Sequence, residues 1–103
     1  MMNSDTFAKM KDGAFFINTS RGGTVDETAL FDALEIGKLS GAAIDVLKTE
    51  PMSRDCKLLK AKNLIITPHS AWAPYSTRLR LLDLVEESLE RFINGESINN
   101  LAE

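Results

Sequence analysis

Residues 14–17, Ala14-Phe15-Phe16-Ile17, are a continuous apolar run held between Gly13 and Asn18. So short a run, closed by a turn former on each side, reads as a strand covered on both faces, as strands of parallel sheets are. Upstream, residues 4–11 read as a short helix capped by Ser4 or Asp5, with Phe7 and Met10 on one face and Asp12-Gly13 as its breaker. Downstream, Arg21-Gly22-Gly23 is a turn, and Thr24-Val25-Asp26-Glu27 has the Thr-x-x-Glu form of a capping box. Leu30, Phe31 and Leu34, with Ile36 at the margin, recur at helical spacing behind it, and Gly37 stands where a left-handed C-terminal cap belongs.

The pattern repeats further out. Gly41-Ala42-Ala43-Ile44-Asp45-Val46 reads as a second buried strand, and Leu64-Ile65-Ile66-Thr67 as a third, stopped by Pro68. Residues 47–62 between them are charged and irregular and hold Pro51, Cys56 and the pair Leu58-Leu59. From about residue 76 to 94, Leu79, Leu82, Val85, Leu89 and Phe92 recur every three or four positions, and Leu81, Leu84 and Ile93 widen the stripe. So broad an apolar face predicts contact with more than one layer. Gly95 ends this helix, and a polar tail follows with Ile98 and Leu101 as anchors. Strands alternating with helices predict a parallel α/β sheet with right-handed crossovers.

Composition removes other classes. With 103 residues, 44% hydrophobic and 26% charged, the chain has the make-up of a water-exposed globular domain and room for one modest core. Its formal charge of −3 leaves no cationic excess for a phosphate backbone, so no nucleic-acid partner is expected. No apolar stretch approaches the ~20 residues of a membrane span, and no membrane partner is expected. One cysteine, Cys56, makes no internal disulfide and fits a cytoplasmic, reducing location. One cysteine and one histidine build no Cys/His zinc site, so no metal is expected.

In a parallel sheet the functional loops lie beyond the carboxyl ends of the strands. Three loops qualify: residues 18–23, 45–51 and 67–72. They carry Arg21, then Asp45 and Glu50, then His69. Singly, each has an ordinary reading: a solvated arginine or structural ion pair, a turn aspartate, a solvated glutamate, a structural imidazole. Together they suit carbonyl chemistry. A guanidinium fork binds a carboxylate through two parallel hydrogen bonds. Imidazole titrates near neutrality and can protonate a carbonyl oxygen, and a carboxylate beside it orients the ring. None of these groups carries electrons, so reduction requires a cofactor.

Three ordered stretches then carry a resemblance. Lys11-Asp12-Gly13-Ala14-Phe15-Phe16-Ile17-Asn18-Thr19-Ser20-Arg21-Gly22 with Val25-Asp26-Glu27-x-Ala29-Leu30, Gly41 to Val46 leading to Glu50-Pro51, and Leu64-Ile65-Ile66-Thr67-Pro68-His69-Ser70-Ala71-Trp72 resemble the D-isomer-specific 2-hydroxyacid dehydrogenase family. The separations fit as well: 29 residues from Arg21 to Glu50 and 19 from Glu50 to His69. The resemblance implies a C-terminal part of a Rossmann-like parallel sheet, three strands with flanking helices, plus a long C-terminal helix. Residues 1–75 would be the C-terminal half of an NAD(P)-binding domain, and 76–103 a crossover helix and tail returning to a substrate domain.

By the same resemblance Arg21 binds the substrate carboxylate, His69 is the acid/base and Glu50 its paired carboxylate. Thr19, Ser20, Arg21, Asp45, His69, Ser70, Ala71 and Trp72 line the cofactor, with Asp45 near the nicotinamide carboxamide. The implied reaction is reversible reduction of a 2-oxo acid to a D-2-hydroxy acid with NAD or NADP. Ser70-Ala71-Trp72 looks most like glycerate dehydrogenase or hydroxypyruvate/glyoxylate reductase members. A nucleotide-sensing co-repressor-like binding protein on the same fold is the alternative.

One departure stands out: the chain contains no Gly-x-Gly-x-x-Gly phosphate cradle. It resembles the last third of a family member, as a truncation, remnant or separately expressed segment would, and the isolated chain is expected to be inactive. An open strand edge and a broad helix face predict a homo-oligomer, a dimer in the simplest case.

Overall fold

The computed structural model describes residues 1–96. It divides into two units, Met1–Ala71 and Trp72–Glu103. The first contains α1 (Ser4–Ala8), β1 (Ala14–Asn18), α2 (Glu27–Glu35), β2 (Leu39–Ile44) and β3 (Leu64–Ile66), with single 3-10 turns at Gly22–Thr24 and Lys57–Lys60. The second contains α3 (Tyr75–Ile93). The three strands are parallel, in the order β1-β2-β3, and Phe16 stands opposite Ala42, which in turn stands opposite Leu64. The expected α/β architecture is therefore present.

Local chemistry moves several boundaries. The cap of α1 is Asn3 rather than Ser4 or Asp5. Its Oδ1 accepts from the Thr6 amide at 3.0 Å, and the Thr6 hydroxyl accepts from the Asn3 amide at 2.7 Å. That reciprocal pair starts the helix one residue earlier, and it ends at Ala8, short of the expected Lys11. Asp26, not Thr24, caps α2, accepting from the amides of Thr28 and Ala29 at 2.9 and 3.1 Å. Thr24 is drawn off into the preceding 3-10 turn, where its hydroxyl donates to the Arg21 carbonyl at 2.6 Å. Val25 is extended and bridges to Met2, so the helix cannot begin before Asp26. Gly37, at φ +76°, takes the left-handed turn expected after α2.

β2 runs two residues earlier than expected at both ends, because Asp45 and Val46 have left the ladder, although both remain buried. The pair Leu58-Leu59 is not in an irregular loop: it lies in the second 3-10 turn, packed against α2, with Leu58 in the core and Leu59 half-exposed.

The core lies on one face of the sheet. Leu30, Leu34, Leu39, Ala42, Ile44 and Leu58 close around Phe7, whose ring meets Phe16 edge to face at 5.2 Å. β1 is accordingly not covered on both faces: Phe15 and Ile17 are 73% and 70% exposed, and Ile65 on β3 is 65% exposed on the same side. Alternation, not uniform burial, is the pattern of this sheet. In α3 no residue is buried. Ile98 and Leu101, expected as anchors, lie outside the described residues. No helix among the described residues is long and apolar enough to cross a membrane.

Candidate functional site

Parallel strands send their carboxyl ends to one edge of the sheet. There the three loops meet, and among the described residues the buried polar side chains are found at that edge too: Asn18 at the end of β1 and Asp45 just past β2. The Asp45 amide donates to the Asn18 carbonyl at 2.9 Å, joining the two strand ends.

Asn18 shapes the first loop. Its Oδ1 accepts from the Ser20 amide at 3.1 Å and the Ser20 hydroxyl at 2.8 Å, and its Nδ2 donates to the Arg21 carbonyl at 3.2 Å. The loop is thus wound around one amide side chain, with Thr19, Ser20 and Arg21 exposed at its tip. The Arg21 guanidinium donates to the Ser20 carbonyl at 2.7 Å. Gly22 lets this loop reach the second: a Cβ there would lie 1.9 Å from the Leu47 carbonyl carbon and 2.4 Å from the Lys48 nitrogen. No side chain fits in that space.

The second loop is held by two carboxylates. Glu50 Oε1 accepts from the Leu47 amide at 2.8 Å, and Glu27, from the first turn of α2, accepts from the Lys48 amide at 2.7 Å. The other Glu50 oxygen, Oε2, lies 2.7 Å from His69 Nδ1. Hydrogen bonding from His69 first, then from the Leu47 amide, with the charges of His69 and Arg21 behind them, holds the Glu50 carboxyl below its usual range. Glu50 is therefore ionised at neutral pH and can only accept, so Nδ1 carries the proton between them. That leaves Nε2 as the ring nitrogen not engaged by Glu50.

The third loop places His69 by an unusual backbone. Its φ is +52°, in the left-handed region that few non-glycine residues enter. Asp45 braces the loop on both sides of it, accepting from the Thr67 hydroxyl at 2.5 Å and from the Ser70 and Ala71 amides at 2.9 and 2.8 Å. The Thr67 hydroxyl and the Ala71 amide are the main reasons the Asp45 carboxyl is held below its usual range.

The structure therefore brings Glu50 and His69 into contact and sets Arg21 within electrostatic reach of Glu50. Thr19, Asp45, Ser70 and Ala71 share a shallow cleft of about 240 Å³ whose apolar floor includes Ile17 and Ala43. A larger cavity of about 500 Å³, walled by Met52, Leu58, Ile66 and Pro68, opens beside Glu50 and His69. Trp72 begins the second unit and is more than half exposed. Asn18, Gly22 and Thr67 shape the site without bringing a reactive group to it. An Asn two residues before a Ser at a strand end is the signature of a side chain-closed turn, and it marks Asn18.

The cleft is lined by the apolar side chains of Ile17, Ala43, Ile44 and Ile65 together with the polar residues Thr19, Asp45, Thr67 and Ser70. The pyrophosphate end of a dinucleotide finds no Gly-rich cradle in these residues.

Comparison with known proteins identifies the family. Residues 1–71 match the family model described as D-isomer specific 2-hydroxyacid dehydrogenase, NAD binding domain. A hydroxypyruvate reductase from Blautia hydrogenotrophica is 48% identical over 99 residues, covering 96% of this chain and 31% of that protein. A glyoxylate reductase from Korarchaeum cryptofilum is 42% identical over 101 residues, covering 98% of this chain and 30% of that protein. Among solved structures, a D-isomer specific 2-hydroxyacid dehydrogenase from Xanthobacter autotrophicus Py2 in complex with NADPH superposes with a TM-score of 0.69 at 34% identity, over 99% of this chain and 41% of that one. The chain thus spans about a third of the length of the curated relatives it matches.

Proposed function

The chain belongs to the D-isomer specific 2-hydroxyacid dehydrogenase family, and we propose that it is the proton-transfer segment of an NAD(P)-dependent reductase of small 2-oxo acids such as glyoxylate or hydroxypyruvate. The observation that carries the reading is the 2.7 Å contact between His69 Nδ1 and an ionised Glu50 at the carboxyl ends of the strands.

In this reading Glu50 holds the proton on Nδ1 and turns Nε2 toward the substrate. His69, protonated, donates from Nε2 to the carbonyl oxygen, and in the reverse direction accepts the proton of the hydroxyl there. Arg21 swings from the Ser20 carbonyl to form a fork with the substrate carboxylate. Thr19, Asp45, Ser70 and Ala71 hold the nicotinamide end of the cofactor in the cleft. The hydride for the carbonyl carbon comes from the nicotinamide ring when the dinucleotide is bound. The pyrophosphate cradle and the rest of the substrate pocket are supplied by residues beyond these 103, so the chain alone is expected to show no turnover.

The test is a chimera in which these residues replace the corresponding segment of the Blautia hydroxypyruvate reductase. Oxidation of NADH or NADPH by hydroxypyruvate supports the reading, and Arg21→Lys should raise substrate KM sharply, because an ammonium makes no fork. A folded chimera with no reductase activity overturns it.

A further inference from the structure

We propose that Asp45 is a positioning residue for His69, fixing the left-handed loop that presents the imidazole to Glu50, in addition to any contact it makes with a cofactor. Asp45 is 4% exposed and touches three donors, every one of them on the loop that contains His69. Oδ1 takes the Thr67 hydroxyl and the Ser70 amide, and Oδ2 takes the Ala71 amide. These donors stand two residues before and one and two residues after His69. The carboxylate therefore spans the residue without touching its side chain through any of these bonds.

That span supplies what the backbone at His69 lacks. A φ of +52° is costly for a residue bearing a Cβ, and it persists where surrounding bonds over-determine it. One bond within the loop, from the His69 amide to the Thr67 carbonyl at 3.0 Å, tightens the turn. The three bonds to Asp45 anchor it to β2. Asp45 directly follows β2, the central strand, and its own amide is tied to the Asn18 carbonyl at the end of β1. Glu50 is fixed independently through the Leu47 amide. The two partners of the 2.7 Å contact thus reach each other from separate supports, and Asp45 is the support on the His69 side. The lowered Asp45 carboxyl is consistent, since an ionised carboxylate accepts all three donors at once.

Asparagine cannot replace it. One oxygen remains as acceptor, while the amide NH₂ would face the Ala71 N–H, donor against donor. The catalytic consequence rests on the proposed function; the positioning does not, and it is measured without turnover. His69 is the chain's one histidine, so its ring signals are unambiguous. In alkaline buffer, where the ring is neutral, long-range ¹H–¹⁵N correlations on the labelled chain report which nitrogen carries the proton.

The native chain should show the Nδ1–H tautomer dominant. In D45N that dominance should be lost, and amide exchange at Ser70 and Ala71 should accelerate on the order of tenfold or more. The Ala42 amide and the amide of residue 45, which bond to the Asn63 and Asn18 carbonyls, should stay as protected as in the native chain. T67V keeps two of the three bonds and serves if D45N does not fold; there the Nδ1–H share should fall measurably. Retention of the native tautomer in a folded D45N, or an unchanged tautomer in T67V, would overturn the proposal. A dead chimera with the expected spectra would instead count against the proposed function alone.

Discussion

The two units of this chain use apolar residues in opposite ways. In Met1–Ala71 the large side chains turn inward: Phe7, Leu30, Leu39 and Leu58 are almost fully enclosed. In α3 they do not: Leu82, Phe92 and Ile93 are 64%, 68% and 72% exposed, and no residue of the helix is buried. Both α2 and α3 carry an apolar stripe at helical spacing. Periodicity therefore identifies a face, while burial requires an opposing layer. The first unit contains its own layer, in the form of α1, α2 and the second 3-10 turn against the sheet, and it is there that the polar groups of the candidate site are held in fixed geometry.

The sharpest way to break this contrast is paired truncation. Leu30→Ala removes a side chain with 0% exposure and should destabilise the first unit by about 2–5 kcal/mol, whereas Leu82→Ala should fall within about 0.5 kcal/mol of the native chain. Urea denaturation of both variants decides the matter, and equal losses would erase the distinction. Gly22→Ala should come next. Its Cβ would sit 1.9 Å from the Leu47 carbonyl carbon, and overpacking of this kind costs about 1–3 kcal/mol. The same denaturation should show it, with amide shifts confined to the first two loops.

The exposed stripe sharpens the comparison from the other side. The outer edge of β1 has no strand partner among the described residues, and α3 exposes a continuous apolar face. Sedimentation should show self-association of the chain, reduced by the double substitution Leu82→Lys, Leu89→Lys without loss of first-unit stability. A native chain that sediments as a monomer at all concentrations contradicts this.

The smallest expected effect is in acid. The folded carboxyls of Glu50 and Asp45 are held below their unfolded values. Each therefore contributes stability that is fully present above the unfolded carboxyl range and is lost as pH falls through the folded value. Glu50→Gln should flatten the dependence of Tm on pH in the acid range; an unchanged slope would mean the pair adds nothing to folding.

What was legible in the sequence follows the same division. The three strands and α2 are legible because short apolar runs closed by turn formers and a 3.6-residue stripe mark elements, and the order of elements then predicts residues 18–23, 45–51 and 67–72 at one edge. The caps were less so. Thr24 and Asp26 both suit a helix start, and only the 3-10 turn at Gly22–Thr24 decides between them. The exposed faces of Phe15 and Ile17 differ from the expected two-faced burial because an apolar run alone does not say whether a covering layer is present in the same chain. At the site, Arg21, Glu50 and His69 stand out as chemical types. Asn18, Gly22 and Thr67 act through backbone geometry, which appears only once the loops are in place.

The most direct test of a catalytic first unit is made in the chimera with the Blautia reductase. There kcat for hydroxypyruvate should fall roughly 10²–10⁴-fold in His69→Ala. A folded His69→Ala chimera that retains full turnover would contradict the assignment of proton transfer to the Glu50–His69 pair.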